Sequence, residues 1–219
     1  MQSLEVFMSR LLPLVPGCPD PTARQALLDS AIEFCEETNA VQTVTEPATL
    51  TAGKSSYDLD IPTQTEVARV VRAWSGKRKL RLHQAMKVDT PLVYYNPDGS
   101  YYAPEGPPTA LTVTDNGVAT LYPTPDANTA SSELLTVRVA TKPSRTATQV
   151  DDDLYRSWAE AIVAGAMFRL AGMPGTVFSD EAQAQKALAR YRYFINRARI
   201  ESNRGRVGGS SAVRSTPFI

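Results

Sequence analysis

Apolar residues recur at helical spacing in the first 40 residues. A short helix is predicted at residues 3–12. A longer helix is predicted with Asp20 as its N-cap and Pro21 at its first position, ending near Asn39. The apolar face of the short helix would consist of Leu4, Phe7, Met8 and Leu11. That of the long helix would consist of Leu27, Ala31, Phe34 and Thr38.

The same spacing returns after Pro143. Residues 151–153 are all aspartate, so carboxylates stand at the N-terminus of the next predicted helix, where they favour the helix dipole. Residues 179–181 begin a final helix that fades near Asn203. Its predicted core face follows steps of four and three residues through Ala184, Leu188, Tyr191, Ile195 and Ala198.

Between residues 41 and 140 the hydrophobic period changes to two, and turn residues occur at short intervals. The clearest hairpin turns are residues 96–99 and 115–117, each of which lies between runs of β-favouring residues. The pattern predicts about seven short strands, which is typical of an antiparallel sheet or a small barrel.

These patterns predict an α+β fold. Helices from residues 1–40 and 147–203 would form one discontinuous helical bundle, with an antiparallel β domain at 41–146 inserted between them. Residues 204–219 are rich in glycine and serine and are predicted to form an extended, flexible C-terminal arm. Because the paired helices are far apart in sequence, folding would be relatively slow.

The composition is that of an ordinary globular chain of 219 residues, with 42% hydrophobic and 21% charged residues. Basic and acidic residues both number 23, which argues against a generally basic nucleic-acid-binding protein. The sequence has no apolar run long enough for a membrane span, and its N-terminus lacks the features of a secretory signal. Cys18 and Cys35 are too few for a disulfide scaffold, so a reduced compartment such as the cytosol is expected.

The neutral total hides an uneven distribution of charge. The net charge is −4 over residues 1–40, +1 over 41–146, −3 over 147–189 and +6 over 190–219. A basic end on a mildly acidic body indicates an interaction arm, although a solvated tail without a function remains the alternative.

The arm contains arginines separated by small residues, followed by an apolar Pro-Phe-Ile segment. A tail that only adds solubility needs no such segment. We therefore expect the arm to order on a partner, pairing its arginines with acids and burying its apolar end, or to add a strand to a partner sheet. The candidate binding residues are Arg204, Arg206, Val207, Val213, Arg214, Phe218 and Ile219.

Motifs for catalysis or cofactor binding are weak. His83 is the single histidine and stands in no catalytic pattern. Gly53-Lys54-Ser55 is similar to the end of a phosphate-binding loop, but Ala48 replaces the required earlier glycine and a strand follows instead of a helix, which favours a β-turn. The sequence therefore predicts no enzyme, no cofactor and no metal site. A small enzyme with an unrecognised site remains an alternative.

Three polar clusters each allow two interpretations. The glutamates within residues 33–37 could bind a metal or transfer protons, but a solvated helix face is favoured. The tyrosines at 94–95 and 101–102 could stack on bases, but cross-strand pairing in a hairpin is favoured. The basic residues 77–79 and Arg81 could contact DNA phosphates or a partner's acids, but a solvated hairpin tip is favoured.

An ordered set of short motifs runs along the chain. The motifs are AIEFCEET at 31–38, TAGKSSYDL at 51–59 with Pro62 after it, the β-rich run at 67–74, LYPTP at 121–125, VRVA at 137–140 followed by Lys142 and Pro143, and the helix with Tyr155, Trp158 and Gly165. The set resembles the head-to-tail adaptor proteins of tailed bacteriophages, the group that includes the tail tubular protein A of short-tailed phages. The resemblance covers about residues 1–203, and the arm matches by position only.

The resemblance implies a structural protein of the virion rather than an enzyme. Its relatives form a ring, usually dodecameric, below the portal, which extends the channel for genomic DNA and presents a surface to the next tail component. The implied partners are the portal protein, a nozzle or tail-completion protein, other copies of the chain, and the DNA in the channel, with no membrane. The protein would occupy the head–tail junction of the virion, and the host cytoplasm during assembly.

C-terminal segments of the relatives can dock on the portal, which implies this role for the arm. A nucleic-acid-binding module that uses the basic arm is the alternative function, and it predicts salt-sensitive binding to free DNA.

Overall fold

The computed structural model describes residues 1–82 and 104–203 in full, and the backbone of 94–95, 101–102 and 204. The chain divides into two compact units. The β unit contains Met1–Gln2 and the described residues of Val41–Asp151, and the helical unit contains Ser3–Ala40 and the described residues from Asp152 onward. The combination of helices and mainly antiparallel sheets confirms the predicted α+β class.

The described residues form α-helices, a 3₁₀ turn at Leu12–Leu14, two long strands and a number of short ones. The helices are α1 (Glu5–Leu11), α2 (Asp20–Thr38), α3 (Ala127–Ser132), α4 (Asp152–Ala171) and α5 (Glu181–Arg204). The strands are β1 (Gln2–Ser3), β2 (Gln42–Val44), β3 (Ala48–Thr49), β4 (Ser56–Asp58), β5 (Thr65–Ser75), β6 (Arg78–Lys79), β7 (Arg81–Leu82), β8 (Tyr94–Tyr95), β9 (Tyr101–Tyr102), β10 (Ala110–Val113), β11 (Val118–Tyr122), β12 (Leu134–Pro143) and β13 (Gln149–Val150).

Three long helices form the core of the helical unit. The ring of Phe34 on α2 lies 5.4 Å from that of Trp158 on α4 and 6.4 Å from that of Tyr191 on α5, measured between centroids. The predicted apolar faces of α1 and α2 are buried, and that of α5 is buried at Ala184, Tyr191 and Ala198 and half-buried at Leu188 and Ile195. The fully buried residues of the unit include Phe7, Leu11, Leu27, Ala31, Phe34, Ile162 and Tyr191.

The ends of the long helices follow the sequence with one exception. Asn39 closes α2 in the left-handed conformation, with φ of 51°, and the Asp180 carboxylate caps α5 by accepting a hydrogen bond from the Gln183 amide at 3.0 Å. The prediction that Asp20 caps α2 is wrong by one residue. Pro19 is the N-cap, because its carbonyl already accepts the first helical hydrogen bond, from the Ala23 amide at 3.0 Å.

Two sheets supply the core of the β unit. One has the strand order β2-β12-β5-β6, with β3 also paired to β12, and the other has the order β4-β11-β10-β7. Only β7 and β10 pair in parallel among the registers described for these two sheets, because the long intervening segment lets the chain return in the same direction. Residues from both sheets join one apolar cluster, which includes Tyr57, Leu80, Leu111, Leu121, Leu135 and Val137.

Both predicted hairpins are antiparallel pairs. Strands β10 and β11 enclose a three-residue loop, in which Gly117 takes a φ of 81° that favours glycine. Strands β8 and β9 place Tyr94 opposite Tyr102 and Tyr95 opposite Tyr101, which confirms the cross-strand register of the tyrosines. The turn predicted at 96–99 lies outside the described residues.

Candidate interaction surfaces

A three-helix contact fixes the position of α5. Gly165 of α4 faces Ser30 and Tyr191 so closely that a side-chain carbon at Gly165 would overlap the Ser30 hydroxyl and lie 2.9 Å from the Tyr191 ring. The Ser30 hydroxyl donates to the Ile162 carbonyl at 2.9 Å, and the Tyr191 hydroxyl donates to the Ser30 carbonyl at 3.2 Å. Burial raises the pKa of Tyr191, and the nearby carboxylate of Glu33 raises it further. The absence of a side chain at Gly165 therefore allows α4 to pack closely against α2 and α5.

The C-terminal end of α5 is bonded to the C-terminal end of α2. Arg199 forms an ion pair with the Glu37 carboxylate, and its Nε donates to the Glu37 carbonyl at 2.8 Å. The Ser202 hydroxyl donates to the Thr38 carbonyl at 2.6 Å. Helix carbonyls in the last turn lack intrahelical partners, so these donors satisfy groups that otherwise require water. The predicted arm therefore follows a helix end that has a fixed position within the helical unit.

Sequence reasoning missed this anchor. Arg199 and Ser202 read as ordinary exposed residues of a long helix, and nothing local shows that α5 ends beside α2. Of the predicted arm residues, the backbone of Arg204 ends α5. The others lie outside the described residues, so the arm remains a prediction: Arg206, Val207, Val213, Arg214, Phe218 and Ile219.

The glutamates on α2 take part in ion pairs. Glu33 pairs with Arg169 of α4, and Glu37 pairs with Arg199 of α5. Among the described residues, no group of three or more histidine, cysteine or acidic side chains is placed to hold a metal ion. These glutamates therefore lie on a polar helix face, as the favoured interpretation predicts, and two of them also form ion pairs with neighbouring helices.

The remaining polar candidates are the segment at residues 53–55, the basic residues 77–79 with Arg81, and His83. Gly53 and Lys54 belong to a turn closed by a hydrogen bond from the Lys54 amide to the Thr51 carbonyl at 3.1 Å, with φ of 75° at Gly53. Strand β4 follows this turn, so the β-turn interpretation is confirmed. The basic residues 77–79 and Arg81 are exposed around the turn between β5 and β6 and on β7. His83 lies outside the described residues.

A larger basic surface lies on the five-stranded sheet beside this turn. The register places Arg138 of β12 opposite Arg72 of β5 and Ala140 opposite Arg69, while Lys79 of β6 stands opposite Trp74. Directly opposite residues share one face of a sheet, and so do residues two apart on a regular strand. We call Arg69, Arg72, Lys79 and Arg138 the basic sheet face. All of these residues are exposed.

Two irregularities in β5 create this surface. The register skips one residue between the pairs of Arg138 and Val139, and another between the pairs of Ala140 and Thr141. Each extra residue on β5 reverses the alternation of its side chains, so Glu66, Arg69 and Arg72, spaced by three, come to one face. Strict alternation would place Arg69 and Arg72 on opposite faces, which is why the sequence did not indicate this cluster.

The helical unit is thus built from two distant chain segments, and the β unit carries a cluster of exposed cations. The chain belongs to the SU10 adaptor protein family, whose family model matches residues 7–215. No curated protein matches the sequence at a significant level.

Membership of this family defines a bacteriophage head–tail adaptor, a structural protein of the virion that takes part in tail assembly. The family is a structural one and not an enzyme family, and an adaptor binds portal and tail components. This confirms the adaptor resemblance at the family level. No described helix is long and apolar enough to cross a membrane.

Proposed function

We propose that copies of the chain assemble into a ring below the portal that extends the DNA channel and provides the attachment surface for the next tail component. The observation that carries this proposal is the family match, which covers residues 7–215 and hence both units. By resemblance, the ring is dodecameric and the chain acts as the tail tubular protein A of short-tailed phages does.

We further propose that the discontinuous helical segments, 1–40 and 147–203, and the β segment, 41–146, act as separate domains. A ring needs two different contact surfaces on each subunit, because its interfaces are heterologous. Repetition around the ring then lets individually weak contacts add up to stable attachment.

The arm at 204–219 would bind the portal. Its support is the basic charge of the sequence after residue 190 and the anchored end of α5, which gives the arm a defined point of origin. An arm that starts from a fixed point loses less freedom on docking than one attached to a frayed helix.

Sedimentation velocity of the purified chain, alone and mixed with the portal ring of the same phage, tests the ring. We expect a slowly sedimenting species alone and, in the mixture, a complex that holds equal numbers of the two chains. Failure to add mass to the portal at any ratio would refute portal docking.

The arm is tested by Arg206→Gln together with Arg214→Gln. If each arginine makes one charge-assisted hydrogen bond worth about 1.5 kcal/mol, the loss of both weakens docking by about 100-fold per site. The matched control is Arg156→Gln with Arg192→Gln, which removes the same charge from exposed positions of α4 and α5. Equal affinities of the two variants would contradict the arm proposal. The alternative of a nucleic-acid-binding module predicts instead that the arm variant loses binding to free DNA and keeps portal binding.

A further inference from the structure

The basic sheet face places like charges directly opposite each other on neighbouring strands, an arrangement that destabilises a sheet. Arg72 and Arg138 are directly opposite on neighbouring strands, where side-chain carbons lie about 5 Å apart and like charges repel. Within the described residues, none of Arg69, Arg72, Lys79 and Arg138 takes part in an ion pair. Local features that cost stability without an internal compensation are expected at functional sites.

The surroundings of this face strengthen its charge. The acid in the same outward row, Glu66, stands opposite Lys142 and pairs with it at 3.7 Å. Exposed Lys77 and Arg78 continue the basic character around the turn beside Lys79, and Arg81 follows on β7. The β unit thus gathers seven exposed cations around β5, β6, β7 and β12: Arg69, Arg72, Lys77, Arg78, Lys79, Arg81 and Arg138.

This arrangement fits a ligand with regularly repeated negative charges. The cations are spread over neighbouring strands about 4.8 Å apart, rather than converging on one point as they would around a single small anion. Arginine, which predominates here, pairs readily with phosphate oxygens through its planar guanidinium group.

We propose that the basic sheet face binds the phosphate backbone of double-stranded DNA without reading its sequence. The inference rests on the proposed function, because an adaptor ring that continues the DNA channel brings DNA close to its subunits. An acidic protein segment is the competing ligand, and Val44, which is 51% exposed and lies opposite Arg138, is the apolar neighbour that such a segment would use.

The test is fluorescence anisotropy of a labelled duplex of about 30 base pairs with the full-length chain, over a series of salt concentrations. If four cations each neutralise one phosphate, the logarithm of the association constant falls with the logarithm of salt at a slope of about −3.6. Affinity would then decrease by roughly 150-fold between 50 and 200 mM salt.

The decisive variant is Arg72→Gln with Arg138→Gln. We expect its salt slope to fall to about −1.8, so that the same change in salt costs only about 12-fold in affinity. Replacing both arginines by lysine keeps the charges and should keep most of the slope. Arg156→Gln with Arg192→Gln, in the helical unit, is the control of equal charge change and should bind DNA as the unmodified chain does.

Two results would overturn the inference. One is a full-length chain that does not bind the duplex. The other is DNA binding that Arg72→Gln with Arg138→Gln leaves unchanged. If Arg206→Gln with Arg214→Gln removes that binding, the arm is the DNA-binding segment. If the sheet variant instead loses tail attachment, the basic sheet face binds an acidic protein. Portal sedimentation of the same preparations separates the two proposals. A chain that binds DNA through this face and does not join the portal supports the inference and contradicts the adaptor ring.

Discussion

Gly165 should be one of the least replaceable residues of the helical unit. In an unobstructed helix, alanine is favoured over glycine by about 1 kcal/mol. At Gly165 the added methyl group would overlap the Ser30 hydroxyl and approach two ring carbons of Tyr191 to 2.9 and 3.0 Å. Moving the hydroxyl breaks its bond to the Ile162 carbonyl, at a cost of about 1 kcal/mol, and displacing the ring adds about 1–3 kcal/mol of overpacking.

We therefore expect Gly165→Ala to lower the free energy of unfolding by about 2 kcal/mol, which corresponds to about 4–8 °C in Tm for a chain of this size. Circular dichroism at 222 nm during urea and thermal unfolding measures the change. The matched control is Gly106→Ala, because among the described residues a side-chain carbon at Gly106 meets nothing within 4 Å. That control should change stability by less than about 0.5 kcal/mol.

A double variant tests the assigned cause. Ser30→Ala removes the hydroxyl that the new methyl group would overlap. Gly165→Ala should therefore cost about 1 kcal/mol less in the Ser30→Ala background than in the unmodified chain. If Gly165→Ala is neutral or stabilising, or if the two substitutions are simply additive, the steric account of this contact is wrong.

Three further results are expected. Burial raises the pKa of Tyr191, so this residue ionises at a lower pH in the unfolded chain than in the folded one, and stability falls as pH rises above about 10. Tyr191→Phe should reduce that fall, which urea unfolding midpoints between about pH 8 and 11 measure. Arg199→Ala removes the donor to the Glu37 carbonyl, so amide hydrogen exchange should accelerate in the last turn of α5 while the amide of Tyr191 stays protected. Arg138→Glu replaces the repulsive pair with Arg72 by an attractive one and should raise stability by roughly 0.2–1 kcal/mol in chemical unfolding; a loss of stability would contradict the register argument.

The helices were predictable because their periodicity is long and regular. The stripe from Ala184 to Ala198 repeats over several turns, and such a pattern has few competing explanations. Helix α3 was missed because six residues are too few to show a period. Its start is marked by Asp126, whose carboxylate accepts a hydrogen bond from the Thr129 amide at 2.8 Å. The pKa of Asp126 is lowered mainly by a hydrogen bond with the Thr129 side chain, and the bond from the Thr129 amide lowers it further.

The candidate surfaces were less accessible to sequence reasoning. The anchor between Arg199 and Glu37 depends on α2 and α5 ending side by side, which is a property of tertiary packing. The basic sheet face depends on two irregularities in β5, and no residue type there marks them. By contrast, the exposed turn at residues 77–79 was evident, because adjacent charges and a glycine are visible in the sequence itself.

The helical unit's two segments also set an order of events during synthesis. Helix α2 is complete at Thr38, whereas α4 begins only at Asp152. At about 5–20 residues per second, the ribosome needs roughly 5–20 s to make the interval between them. During that time α2 can contact α1, which precedes it, but α4 and α5, which bring Trp158 and Tyr191 to Phe34, have not yet been made. The part of the apolar surface of α2 that α4 and α5 cover therefore stays without these partners until both helices are synthesised. A chain that terminates before residue 152 contains no α4 or α5 and cannot complete the unit.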